Sequence, residues 1–172
     1  EEMPAAERGA LEFLRGLALV RADRRGEAAS SFRQLAEDGT PRGLAVHAGW
    51  YLGRLLLDVL RPPAPDELKE ARRLLTRVPP SSRFGLQARM LLVRALLAAG
   101  EIDEACRLSE LAVEHYAGSF REAGALALQA RCRERRAVQV ARREGWKQAR
   151  PLLAEAAGIL AKLIDNAHIA GQ

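Results

Sequence analysis

A repeated spacing between small residues most constrains how this chain can fold. Three pairs of small or medium residues stand 12 positions apart: Gly16 with Ala28, Val93 with Ala105, and Ala137 with Ala149. A fourth pair, Gly53 with Ala71, is 18 positions apart, as though about six residues had been inserted around RPPAP (61–65). Small side chains let two helix backbones approach to roughly 8–10 Å. The spacing therefore predicts a series of closely packed helical hairpins.

Turn and capping signals divide the chain into about eight helical segments and leave no strand pattern. Glycine and proline clusters separate these segments, as at Gly39-Thr40-Pro41, RPPAP (61–65), Gly100 and Gly145. We predict that Asp66 caps the fourth helix and that Ser119 and Glu122 form a capping box for the seventh. The predicted segments are 4–21, a second ending near 37, 45–60, 66–78, 83–99, 102–116, 119–143 and 147–165.

The hairpins resemble the tetratricopeptide repeat, a helix–turn–helix unit of 34 residues. Residues 86–117 match best, with Gly100 at the turn, Ile102 in the slot that is usually aromatic, and Ala105 opening the second helix. In the last hairpin Trp146 takes the aromatic slot. The resemblance implies an all-α fold, an α-solenoid of about four antiparallel hairpins in a right-handed superhelix. We expect one domain over 1–172 with units at about 5–38, 41–79, 83–117 and 120–166.

Composition fits such a fold and indicates no membrane span or stabilising metal. A chain of 172 residues can bury a core without staples, and no apolar run approaches the roughly 18 residues that a membrane helix needs. The net charge is +5, and 24 of the 27 basic residues are Arg. Cys106 and Cys132 have no metal-ligand spacing, and their small number fits a reducing, cytoplasmic compartment.

No residue pattern indicates catalysis. The three histidines, His47, His115 and His168, lie on different predicted helices, and the phosphate-binding, nucleophile-elbow and HExxH signatures do not occur. We therefore expect a protein that is not an enzyme, with no catalytic residues, no cofactor and no metal site.

The resemblance implies that the first helix of each hairpin lines a concave groove. Phe13, Trp50 and Met90 are then equivalent positions, and Arg54 and Arg94 follow one helical turn later. An apolar row beside arginines suits a peptide with hydrophobic anchors and an acidic group. The alternative is that the three apolar residues belong to the core. The predicted groove residues are His47, Trp50, Arg54, Met90, Arg94, Arg131 and Arg142.

A basic stripe is predicted on the seventh helix, within RCRERRAVQVARREGWK (131–147). At 100° per residue Arg131, Arg135 and Arg142 share one face, and Arg136 and Arg143 lie further round. The stripe has three possible interpretations: a solvated helix face, a contact for an acidic protein, or a contact for nucleic-acid phosphates. Nucleic acid is the least favoured, because no aromatic residue interleaves the arginines for base stacking.

The sequence thus favours a non-enzymatic protein–protein interaction module that binds a peptide or partner protein in its groove, where the arginines suit an acidic partner. The alternative is an effector-sensing segment of a larger bacterial signalling protein or transcription regulator, since the chain begins with Glu-Glu and is expected to be part of a longer protein. Apolar residues near the C-terminus are a candidate face for another helix, in the same chain or in a homodimer: Leu160, Leu163, Ile164 and Ile169.

Overall fold

The computed structural model describes residues 4–37, 42–57 and 63–170, without the side chains of 42 and 165–170. Over these residues the chain forms eight α-helices and no strand, which confirms the predicted all-α class for the described part of the chain. The helices are α1 (Ala5–Arg21), α2 (Arg25–Glu37), α3 (Arg42–Leu56), α4 (Pro65–Thr76), α5 (Gly85–Ala99), α6 (Ile102–Tyr116), α7 (Glu122–Glu144) and α8 (Trp146–Ala170).

Two of the predicted turns are confirmed by glycines in the left-handed region. Gly100, between α5 and α6, has φ +82°, and Gly145, between α7 and α8, has φ +94°. A side chain is strained at such angles, whereas glycine adopts them readily. These turns fix the start of α6 and α8 close to the predicted positions. The predicted turn at Gly39-Thr40-Pro41 and the end of the third helix at 58–60 lie outside the described residues.

The predicted Asp66 cap is wrong, and the predicted capping box of Ser119 and Glu122 is present in part. Helix α4 begins one residue early because Pro65 occupies its first turn, and the carboxylate of Glu67 accepts a hydrogen bond from the Ala64 backbone N–H at 2.8 Å. Helix α7 begins at Glu122, whose carboxylate accepts from the Gly118 N–H at 2.7 Å. The Ser119 hydroxyl donates to the Tyr116 carbonyl at 2.6 Å, and its oxygen accepts from the Arg121 backbone N–H at 3.3 Å. Asp66 therefore does not cap α4, whereas Ser119 reaches forward and Glu122 reaches back as predicted, but to Arg121 and Gly118 rather than to each other's backbone.

The chain divides into two compact units, Glu1–Ala88 and Arg89–Gln172. In the first unit α1 packs on α2, α2 on α3 and α3 on α4, and α1 also contacts α3. Its core is built around the fully buried Phe32 and Leu52. The small residues at the repeated spacing lie in this core as predicted: Gly16 faces the Phe32 ring, and Gly53 faces Leu75.

Aromatic rings form a continuous cluster within the first unit. Tyr51 stacks on Phe32 with ring centroids 5.3 Å apart, and Phe13 meets both rings edge-on at 5.6 Å. Trp50 stacks on Phe84 at 4.3 Å. Such pairs stabilise a core beyond their buried area.

In the second unit α6 packs on α7, and α7 on α8. The contact faces consist of small residues, among them the fully buried Ala105, Ala112, Ala137 and Ala149. Arg133 on α7 joins the three helices, because its guanidinium contacts Glu110 of α6 at 2.7 Å and Glu155 of α8 at 3.4 Å. Among the described residues, no helix has the length and apolar character needed to cross a membrane.

Candidate functional site

The predicted groove residues of the first unit lie on α3. Trp50 is only 8% exposed, and its ring is held between Phe84 and Tyr51. The structure thus places Trp50 in the core, the alternative that the sequence left open. A partner cannot use this ring as a projecting anchor without rearranging α3.

The two polar neighbours of Trp50 are more accessible. His47 is half-buried, its Nδ1 lies 2.7 Å from the Gly43 carbonyl oxygen, and its ring meets Phe84 edge-on. Arg54 is exposed and its guanidinium carbon lies 5.8 Å from the Trp50 ring centre. Arg54 is thus the predicted groove residue of this unit with the most accessible charge.

Trp50 also has a buried hydrogen-bond donor without an acceptor. Its Nε1–H is buried and finds no acceptor among the described residues. An unsatisfied buried donor costs about 1–3 kcal/mol. The ring is therefore held by packing rather than by polar contacts.

The predicted site residues of the second unit lie on α5 and α7. Met90 is half-buried, and Arg94 is exposed. Both lie on α5, while Arg131 and Arg142 are exposed on α7. The structure gives no contact that joins the α5 pair to the α7 pair.

The basic stripe of α7 separates into two groups. Arg136 forms an ion pair with Asp103 at 3.5 Å. The other four arginines are exposed and make no ion pair within the described part of the chain: Arg131, Arg135, Arg142 and Arg143. Arg131, Arg135 and Arg142 share one face of α7, opposite residues buried against its neighbours such as Leu126 and Ala137. The helix therefore packs by one side and presents unpaired guanidinium groups on the other.

One exposed residue was misplaced by the sequence reasoning. Trp146, predicted to fill the aromatic slot of the last hairpin, is 65% exposed. It is the first residue of α8, directly after Gly145, and Ala149 occupies the buried position one turn later. One sequence signal could have indicated its exposure. In ARREGWKQAR (141–150), cationic residues both precede and follow Trp146, which is typical of a solvated segment.

The two cysteines form a buried pair between α6 and α7. The Cys132 thiol donates to the Ala105 carbonyl at 3.6 Å. Its hydrogen bond with Cys106 lowers the pKa of Cys106, an effect that burial opposes and the nearby Arg136 and Arg133 reinforce. The same hydrogen bond, together with burial, raises the pKa of Cys132. Cys106 is therefore the more acidic thiol, but both lie in the interior.

No cluster of His, Cys, Asp and Glu suited to a metal ion occurs among the residues with described positions. Comparison of the chain with protein-family models, with curated proteins and with solved structures gives no match.

Proposed function

We propose that this chain is a non-enzymatic interaction module built from tetratricopeptide-like hairpins, and that it binds an acidic segment of a partner protein or peptide. The observation that carries the proposal is the row of exposed, unpaired arginines on one face of α7: Arg131, Arg135 and Arg142. The packing of α1 on α2, of α3 on α4 and of α7 on α8 supports the hairpin part of the proposal.

The lack of partners on this face does not reflect a shortage of acidic residues. The chain contains 22 Asp and Glu residues. Neighbouring positions on the same helix use them: Arg133 pairs with Glu110, and Arg136 with Asp103. The fold thus neutralises the arginines that lie next to α6 and leaves those of the opposite face free for an external anion.

The spacing of the free arginines suits carboxylates on another chain. Arg131 and Arg135 are about 6 Å apart along the helix axis, and Arg142 lies about 10 Å further along. Alternate residues of an extended peptide are roughly 6.6 Å apart, so two carboxylates can meet the first two arginines together. A guanidinium group binds a carboxylate through two parallel hydrogen bonds, which gives the contact both strength and orientation.

The test is affinity purification of partners with the wild-type chain and with the Arg131→Glu, Arg135→Glu, Arg142→Glu variant. We expect partner recovery to fall at least about tenfold in the variant, because charge reversal repels carboxylates at every contact. The control is Arg21→Glu, Lys69→Glu, Arg77→Glu, which makes the same net change on exposed residues of the first unit. Equal recovery by both variants would contradict the proposal.

The salt dependence of the binding constant distinguishes a nucleic-acid partner from an acidic protein. Binding to a single-stranded oligonucleotide through three phosphates would weaken steeply with salt, with a log–log slope near −2. We expect no measurable binding to the oligonucleotide at physiological salt. Tight, salt-sensitive binding that the α7 charge reversal abolishes would replace the protein partner with a nucleic acid.

A further inference from the structure

Helix α8 carries a second apolar face that no described residue covers. Six residues recur along it with alternating separations of four and three: Trp146, Arg150, Leu153, Ala157, Leu160 and Ile164. Five of the six are exposed and Leu153 is half-buried. Trp146, Leu160 and Ile164 expose 65%, 49% and 69% of their surface. We call these six residues the α8 seam.

The α8 seam is distinct from the face that α8 uses inside its own unit. Ala149 and Ala156 are buried, and the half-buried Leu152, Ile159 and Leu163 fall on the same side of the helix. The seam lies beside this face and extends about 27 Å along the helix. The alternation of four and three is the spacing at which one helix packs lengthwise on another.

The shape of the seam suits a helix. Ala157 lies within the seam, and Ala154 and Ala161 lie beside it, all exposed. Small residues at these positions let a second backbone come close. Trp146 and Ile164 at the two ends would then project on either side of the incoming helix.

Charge indicates the chemistry of that helix. Four cations lie within four positions of Trp146 in the sequence, all exposed and without an ion pair in the described ranges: Arg142, Arg143, Lys147 and Arg150. Glu144 is the only acidic residue within the stretch 141–150.

We propose that the α8 seam binds an amphipathic helix of a partner protein, with apolar residues at the same spacing and acidic residues opposite the Trp146 end. This inference rests on the proposed protein-binding function and adds the conformation and polarity of the partner. A second copy fits less well: antiparallel pairing about a two-fold axis near residue 155 sets Trp146 against Ile164, and it sets the Arg150 guanidinium of each copy against Leu160 of the other. A charged group that is buried against an apolar side chain without a partner is unfavourable.

The probe is a synthetic 21-residue peptide with Leu at the two seam-facing positions of each heptad and Glu at the flanking ones, used below the concentration at which it self-associates. We expect saturable binding, a gain of peptide helicity by circular dichroism, and a blue shift of Trp fluorescence. The blue shift should vanish in Trp146→Phe, because the other tryptophan, Trp50, is already buried.

The seam variant is Leu160→Glu, Ile164→Glu, which replaces exposed side chains and leaves the core intact. We expect its affinity for the peptide to fall at least about tenfold, since apolar anchors dominate such interfaces. The matched control is Leu111→Glu on α6, another exposed leucine, which should bind like the wild type. A scrambled peptide of the same composition, without the heptad spacing, should bind at least tenfold more weakly.

The two proposals fail in different ways. If the ordered and scrambled peptides bind equally and the seam variant is unaffected, the α8 seam proposal is wrong, while loss of binding in the α7 charge reversal would still support the acidic partner. If the chain alone dimerises in sedimentation and the seam variant is monomeric, a second copy occupies the seam and the proposal is overturned. A blue shift with phosphatidylserine vesicles but not with the peptide would overturn it in favour of a membrane surface.

Discussion

Gly16 faces the ring of Phe32 so closely that no side chain fits between them. A Cβ atom at Gly16 would lie 2.7 Å from Phe32 Cε1, and one at Gly53 would lie 2.8 Å from Leu75 Cδ2. Both neighbours are buried and cannot move aside without disturbing the core. Gly158 on α8 differs, because a Cβ there would meet no atom within 4 Å. Glycine is thus required at the first two positions and is only tolerated at the third.

Replacement of Gly16 and Gly158 by Ala should have opposite effects on the free energy of unfolding. Overpacking costs about 1–3 kcal/mol, which exceeds the gain of about 1 kcal/mol in helix propensity, so we expect Gly16→Ala to destabilise the chain. In Gly158→Ala the added methyl group meets no neighbour, so only helix propensity changes. We expect this variant to stabilise the chain by up to about 1 kcal/mol. Urea denaturation followed by circular dichroism measures both. Equal changes in the two variants would show that Gly16 is not a packing residue.

The sequence predicted these packing positions better than the exposed ones. The spacing of Gly16 from Ala28 located residues that the structure buries, because close helix approach demands small side chains in a regular pattern. Trp146 was misplaced, because the same pattern reserves an aromatic slot and large apolar residues are usually buried. Its exposure depends on its place as the first residue of α8, which a helical period does not specify.

Two ion pairs join α2 and α4, one with its cation on α2 and the other with its cation on α4. Arg33 of α2 donates to Glu70 of α4 at 2.8 and 3.0 Å, and Arg73 of α4 donates to Glu37 of α2 at 2.7 Å. The hydrogen bonds from Arg33 lower the pKa of Glu70 below its usual value, with smaller contributions from the charges of Arg33 and Arg73 and with burial opposing them. The bidentate geometry makes the first pair the stronger one.

Glu70→Gln should destabilise the chain at pH 7 and lose its effect in acid. Because the pKa of Glu70 is lower in the folded state, its stabilisation is complete above the unfolded-state value near 4.5 and disappears as the pH falls through the folded-state value. We expect a loss of about 0.5–1 kcal/mol at pH 7, since the pair is partly exposed to solvent. Urea denaturation at pH 7 and pH 3 provides the comparison. Glu114→Gln on the exposed side of α6 is the control, and an equal loss at both pH values would contradict the assignment.

At the level of helices, glycines and capping residues in the sequence predicted where helices begin and end, but not which helices contact one another. The bounds of α6 agree with the predicted 102–116, because Gly100 ends one helix and acidic residues favour the start of the next. The Asp66 cap failed and the box of Ser119 and Glu122 formed only in part, because several residues near a terminus can bond the same backbone groups. Arg33 and Glu70 are 37 residues apart, so no local pattern indicates that they meet.

For the whole molecule, the structure describes two compact units. Helices α1 to α4 pack in sequence order within the first unit, and α6 to α8 do so within the second. Composition and helical period predicted the all-α class, since Ala, Leu, Arg and Glu favour helix and strand patterns are missing. The identity of the partner could not be predicted, for a chemical reason. A guanidinium group recognises any carboxylate or phosphate, so Arg131, Arg135 and Arg142 define the charge of a ligand and not its identity.

One turn of the second unit presents a large ring to solvent. Phe120 lies between α6 and α7, just after Gly118 with φ +70°, and it exposes 91% of its surface. The other phenylalanines and the tyrosines are buried or half-buried, and Trp146 lies within a helix. Proteases cut exposed turns in preference to helices, so chymotrypsin at low concentration should cleave first after Phe120. Mass spectrometry identifies the cut, which Phe120→Ala should abolish; early cleavage elsewhere would contradict the expected site.

Such a cut would leave a nicked molecule and not two separate pieces. Helix α7 would still pack on α6 through the Cys132 contact with Ala105 and the Arg133 contact with Glu110, so the fragments should remain associated under native conditions and separate in denaturant. The turn at Phe120 is thus a natural junction for assembling the chain from two parts. Residues 121–172, which include the free arginines of α7 and the α8 seam, could then be isotopically labelled alone. NMR would observe this fragment without signals from the unlabelled residues 1–120.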